Sequence, residues 1–388
     1  MKRINTIDFV RGLVMIIMAL DHIRDFIHVS SLTVNPTDLS NTTPALFSTR
    51  WITHFCAPTF VFLSGSSAYL SFSKQQNLVE SRKFLLTRGL WLIFLEFTVV
   101  NLGIWYDIHF GILLSQVIAV IGFSFIILSF LLRFSSKTIG IIGLVLVFSH
   151  DLALQFPSAI TNPVLKFIAS LFFAPNGFPI TPKFIFIVGY PIIPWLGMML
   201  LGFAFGQSFE NESETRKKIF LRAGMISLAL FIVLRLVNLY GDAVPWSVQS
   251  KFTFTILSFL NITKYPPSLL YTLLTLGVMF LVMRIVEGAK NKLIEWVSIF
   301  GKVPLFYYLI HWYLVHSIMI VVLLMQGFQW SDLNFQDFNF GRPKGVSGVE
   351  LPMVFLIWLI VILLMFPLCR WYANYKSLHK EKQWLRYL

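Results

Sequence analysis

Apolar runs of about 20 residues recur along the whole chain, and that repetition constrains the fold more than any other feature. As a helix, each run is long enough to cross the ~30 Å hydrocarbon layer of a bilayer. Of 388 residues, 56% are hydrophobic and only 13% charged, too little polar surface to wrap a soluble core of this size. In lipid, only helices and closed barrels satisfy the backbone, and the alternating pattern of barrel strands is absent. The chain therefore reads as an all-α, polytopic helical membrane protein. It is expected to form a single integral-membrane domain over residues 1–388.

About ten transmembrane helices are expected, near 7–28, 51–73, 86–106, 112–132, 138–154, 184–206, 219–240, 267–287, 296–325 and 350–372. Segments 162–174 and 251–262 read as short interfacial or re-entrant helices. The positive-inside rule orients the set. With the N-terminus in the cytoplasm, the inside segments collect Lys2, Arg3, Lys74, Arg82, Lys83, Arg88, Arg133, Lys137, Arg216, Lys217, Lys218 and the basic tail from Arg370 onward. The outside segments hold only Arg50, Lys166, Lys183, Lys251, Lys264, Arg342 and Lys344. Both termini are then cytoplasmic. The net charge of +13 lies mostly on that face, where anionic lipid accounts for it, so no nucleic-acid partner is implied. Cys56 and Cys369 sit in separate helices near opposite faces, which argues against a disulfide. Met1-Lys2-Arg3 leads into the first helix without a small-residue cleavage site, so that helix is expected to be retained.

The first helix carries charges that an ordinary anchor has no use for. Asp8, Arg11, Met15, Met18, His22 and Asp25 fall within an arc of ~100°. A charge near the bilayer centre costs roughly 2.5–3.5 kcal/mol on insertion scales, so this face must point into a bundle or a polar cavity. Arg11 and His22 are eleven residues apart, or ~16 Å of helix rise. Asp25 lies one turn beyond His22, where it could accept the ring N–H and fix the tautomer. The same spacing also suits plain ion pairs, Asp8 with Arg11 and Asp21 or Asp25 with Arg24.

Three later helices add polar groups. His54 sits at a depth like that of His22 and precedes Pro58, which is expected to kink its helix. Pro191 and Pro194 are expected to disrupt the sixth helix. The ninth carries Lys302, a kinking Pro304, then Tyr307 and His311 as i,i+4 neighbours. The GxxxG at Gly202–Gly206 serves contacts within or between chains, so a homodimer stays open. No metal is expected, because His22, His54 and His311 lack HxxxH, CxxC or Asp-rich ligand spacing.

Arg3-Ile4-Asn5-Thr6-Ile7-Asp8-Phe9-Val10-Arg11-Gly12 followed by Asp21-His22 resembles the first-helix signature of membrane acyltransferases. With Thr53-His54-Phe55-Cys56-Ala57-Pro58, Pro194-Trp195-Leu196-Gly197 and Pro304-Leu305-Phe306-Tyr307-Tyr308-Leu309-Ile310-His311, the set resembles the bacterial branch of the heparan-alpha-glucosaminide N-acetyltransferase catalytic-domain family. The resemblance covers almost the whole chain. It implies acyl transfer from cytoplasmic acetyl-CoA to the amine or hydroxyl of a glycan or amino sugar of the cell envelope, in a bacterial inner membrane. On that reading His22 is the catalytic base, and Arg11, with Asp8, Lys302 and Tyr307, serves the acyl-CoA. Asp25 orients the base, and His54, Tyr307 or His311 donates to the developing oxyanion. The chain departs from the lysosomal member, which carries asparagine at the position of His22 and has its own histidine opposite Pro44. The base is therefore open between His22 and His54. A proton-coupled transporter or flippase of an envelope precursor is the alternative, since charged inward faces serve carriers equally well.

Overall fold

Proline and short strand-forming runs decide where the long apolar stretches break. The computed structural model describes residues 4–75, 77–343 and 345–387. The expected charges of Lys2, Arg3 and Lys344 lie outside the described residues. Among the described residues, eight helices are long and apolar enough to cross a membrane. Helix α1 (Asn5–Ile27) is equally long but charged, and it is buried along most of its length. The fold is the all-α polytopic bundle expected, with one small sheet added.

The second span joins α2 (Pro44–Ile52) to α3 (Cys56–Gln75) through a 3-10 turn at Thr53–Phe55. Pro58 does not kink it. The residue falls in the first turn of α3, where a missing N–H breaks no bond, and the irregularity sits one turn earlier. The third span is α4 (Leu78–Leu95), a π-helical turn at Glu96–Val100, and α5 (Asn101–Trp105). The fourth expected helix begins as a strand, β1 (Ile112–Ser115), and only then becomes α6 (Val117–Leu131). After α7 (Ser136–Ser149) and the short α8 (Pro163–Phe173) come β2 (Asn176–Thr181) and β3 (Phe184–Val188). Strand β3 takes the first turns assigned to the sixth helix, and Pro191 and Pro194 then initiate α9 (Ile192–Phe205). Proline suits the first turn, so the pair starts this helix where the sequence suggested a break.

Helix α10 (Ser213–Val237), the short α11 (Phe252–Leu260) and α12 (Leu269–Val286) follow. The ninth expected helix splits into α13 (Lys292–Lys302) and α14 (Pro304–Met325) at Val303, whose backbone leaves the helical region before Pro304. Helix α15 (Leu351–Leu378) ends the bundle.

The sheet runs β1-β3-β2, with β1 parallel to β3 in the register Ile112↔Ile185 and β2 antiparallel to β3. Two strand-then-helix units, β1–α6 and β3–α9, therefore lie side by side and point the same way. The Asn101 side chain covers β1 by donating to the Leu114 carbonyl at 3.0 Å and accepting from its N–H at 2.7 Å. An amide thus stands in for a neighbouring strand.

Helices α3 and α9 cross so closely that a Cβ on Gly65 would sit 2.0 Å from the Met199 carbonyl oxygen, and one on Gly202 2.0 Å from that of Phe62. Gly206 abuts the Tyr69 ring. The GxxxG is thus engaged within this chain. The start of α1 and the last described residues lie toward one face, where Arg11 and Lys376 line one cavity, Arg88 donates to the Arg386 carbonyl and Thr87 meets the Tyr387 hydroxyl at 3.0 Å. On the opposite, loop face, Arg342 reaches the His28 carbonyl at 3.0 Å and the Ser31 hydroxyl at 2.8 Å.

Candidate active site

Helix α1 carries its polar residues past two cavities. The one toward the loop face measures about 540 Å³ and is lined by Asp21, His22, Asp25, Arg50, Lys264, Tyr190, Tyr265 and Trp312 among others. The one toward the terminal face measures about 310 Å³ and is lined by Arg11, Arg88, Lys302 and Lys376, with Ser64 and Ser67. Among the described residues, no Asp or Glu side chain lines the second cavity. Phe60, Val117 and Tyr308 line both. A third hollow of about 700 Å³, on the terminal face, adjoins the second cavity at Ser71 and Phe84 and bears Lys74, Lys83 and Arg386.

His22 and His311 meet across α1 and α14, with His22 Nδ1 2.7 Å from His311 Nε2. His311 Nδ1 lies 2.6 Å from the Tyr308 carbonyl. A carbonyl only accepts, so that nitrogen must carry the proton. In the neutral ring, Nε2 of His311 is then the acceptor, and His22 must donate to it from Nδ1. The hydrogen-bond chain so assigned leaves Nε2 of His22 with a lone pair and no partner among the described residues. The His22 ring also stacks on Trp312, with centroids 3.9 Å apart and planes 19° off parallel. A backbone carbonyl two residues into the wall thus fixes both tautomers and both ring planes.

The charged groups beside His22 form a network of their own. Asp21 accepts from Arg24 at 2.6 Å and from Arg50 at 2.7 Å, with the Lys264 ammonium 3.6 Å away. Asp25 accepts from Arg24 at 2.6 Å and lies 4.0 Å from Arg50. The expected bond from His22 to Asp25 is therefore replaced. Two guanidinium groups hold the carboxylate, and His311 takes the orienting place. The plain pairing of Arg24 with Asp21 and Asp25 is the one found.

Other expected site residues separate. Arg11 lines the terminal-face cavity and donates to the Leu63 carbonyl at 2.9 Å and the Ser67 hydroxyl at 2.6 Å. Lys302 joins it there. Asp8 lies outside that lining, buried where α1 meets Gly301 of α13. His54 is buried behind the loop-face cavity, its ring edge-on to Tyr271 and its Nδ1 without a partner among the described residues. The 3-10 turn rotates it away while Thr53, Cys56 and Ala57 face the cavity. Tyr307 lines neither cavity; its ring lies flat against His311 at 5.6 Å.

Sequence reasoning missed Arg50, Lys264, Tyr308 and Trp312. A signal for two of them existed. With Pro304 at the start of α14, Pro304, Tyr308 and Trp312 recur at i, i+4 and i+8 on one face. Nothing comparable marks Arg50 and Lys264, which reach Asp21 from distant segments.

Residues 3–238 match the family model described as heparan-alpha-glucosaminide N-acetyltransferase, catalytic. The chain belongs to this family. It is a multi-pass membrane protein of acetyltransferase type, and the matched segment holds α1 and both strand-then-helix units. His311, Tyr308 and Trp312 lie beyond that segment and complete the site from α14. Among curated proteins, none matches the chain.

Proposed function

We propose that this family member moves an acetyl group from acetyl-CoA, entering at the terminal face, to a sugar amine or hydroxyl held in the loop-face cavity. The observation that carries the reading is the pair of cavities, opening toward opposite faces and meeting at one wall beside His22. The basic inside segments favour a cytoplasmic terminal face, and the family likeness favours a bacterial inner membrane. Residues 1–388 act as a single membrane-embedded unit on this reading, since α1 and α14 must combine to form the site.

The cations of the terminal-face cavity suit the phosphates of CoA. Arg11 offers a planar fork for them and Lys302 a point charge. The adjoining hollow with Lys74, Lys83 and Arg386 holds the nucleotide end. About 16 Å of α1 separates Arg11 from His22, a reach comparable to the pantetheine arm. At the far end, Nε2 of His22 takes the proton from the acceptor as it attacks the thioester. The tautomer chain from the Tyr308 carbonyl through His311 keeps that nitrogen unprotonated and aimed. Tyr190, Tyr265 and Trp312 offer flat faces for a sugar ring.

The test is thiol release from acetyl-CoA by purified protein in detergent or nanodiscs, with a panel of amino sugars and envelope glycans. Acceptor-dependent release is expected. A protein that neither binds nor consumes acetyl-CoA overturns the reading in favour of a carrier.

A further inference from the structure

The wall between the two cavities is the place where an incoming acyl group must stop. Three residues face both sides of it, and two of them, Phe60 and Val117, are apolar. The third is Tyr308, 3% exposed, whose hydroxyl has no hydrogen-bond partner among the described residues. The Trp312 indole N–H is close by without a well-formed bond to it. Burying a hydroxyl without a partner is unfavourable, and among the described residues with such a group Tyr308 is the one that lines both cavities. The ring belongs to the same cluster as the base, 5.5 Å from His311 and 6.1 Å from Trp312, which itself stacks on His22.

The geometry points to Tyr308 as a catalytic hydrogen-bond donor, its hydroxyl meeting the thioester carbonyl oxygen at the junction of the two cavities. This rests on the acyl-transfer reading and deepens it. His22 Nε2 removes the acceptor proton as the acceptor's lone pair forms the new C–N or C–O bond. The C=O π pair moves onto the oxygen, where the Tyr308 O–H stabilises the charge without giving up its proton. Collapse restores the carbonyl, breaks the C–S bond and releases the CoA thiolate, which takes the proton held by His22. The same backbone segment thus serves both halves of the step, since the Tyr308 carbonyl sets the tautomers and its side chain meets the oxyanion.

The test uses Tyr308→Phe in the full-length protein, which keeps the ring and the wall but removes the donor. Turnover is expected to fall about 100-fold with the donor KM and the thermal midpoint unchanged, the usual effect of losing one such donor. A binding measurement separates this from a packing role. A CoA thioether bearing a trifluoromethyl ketone, whose hydrate presents the oxyanion, is expected to bind wild type more tightly than S-ethyl-CoA, and Tyr308→Phe is expected to lose that preference. Wild-type turnover matched by the variant, with the analogue preference retained, overturns the Tyr308 assignment alone. A wild-type protein that releases no thiol with any acceptor and shows no analogue preference overturns the acyl-transfer reading, and the assignment with it.

Discussion

On the terminal side of the shared wall, Arg11, Arg88, Lys302 and Lys376 are the charged side chains of the lining among the described residues. On the loop side Arg50 and Lys264 converge on the carboxylates of Asp21 and Asp25, and two histidines and several aromatic rings complete the lining and its backing. The difference teaches how one helix can serve two ligands. A cavity lined by one sign of charge concentrates a polyanion. A cavity lined by ion pairs and aromatic rings offers stacking faces and one directed lone pair. On the proposed reading, binding strength and bond-making fall at opposite ends of α1.

Substitutions should split along the same division. The largest effect belongs to His22→Ala, expected to lower turnover by ~10²–10⁴-fold while acetyl-CoA binding by calorimetry stays intact. Full activity in a folded His22→Ala protein removes the base from the loop side and breaks the comparison outright. Next comes His311→Phe, which removes the acceptor that fixes the His22 tautomer. Turnover is expected to fall by about 10–100-fold, with donor KM unchanged, as when an orienting partner of a catalytic ring is lost. A change in donor KM alone would place His311 on the other side of the division.

Arg11→Ala acts at the terminal end. One charge-assisted bond to phosphate is worth about 1.5–3 kcal/mol, so donor KM is expected to rise at least about tenfold with turnover nearly unchanged. The defect should shrink as salt rises, because screening weakens the wild-type contact too. Lost turnover at saturating donor would show that Arg11 acts on the chemistry. The smallest effect is expected from Asp25→Asn. Its side chain is 41% exposed and paired with Arg24, so less than about a fivefold change in turnover is expected. A loss approaching that of His22→Ala would restore Asp25 as the partner of the base.

The positions of the spans were legible in the sequence, because apolar run length reports directly on membrane crossing. The strands were not. Ile112-Leu113-Leu114-Ser115 runs straight into the apolar α6, and Phe184–Val188 into α9, so each strand and its half-helix together make one run of helical length. That Arg11 and His22 face cavities was legible because an ionisable group inside a membrane needs a reason to be there. The His22–His311 bond was not, since 289 residues separate its partners and local spacing offered Asp25 first. His54 misled for the opposite reason: its depth was right, but a 3-10 turn set its direction.

The amide of Asn101 has a consequence for how the protein is made. Asn101 and Leu114 are 13 residues apart, so one residue on an edge of β1 is paired by a partner that leaves the ribosome almost together with it. The other edge waits for Ile185 to Val188, more than 70 residues later. Bare strand edges are not tolerated in hydrocarbon, where each unsatisfied group costs several kcal/mol. Pairing along β1 is therefore complete only once β3 has been made, whatever the insertion order of the flanking helices.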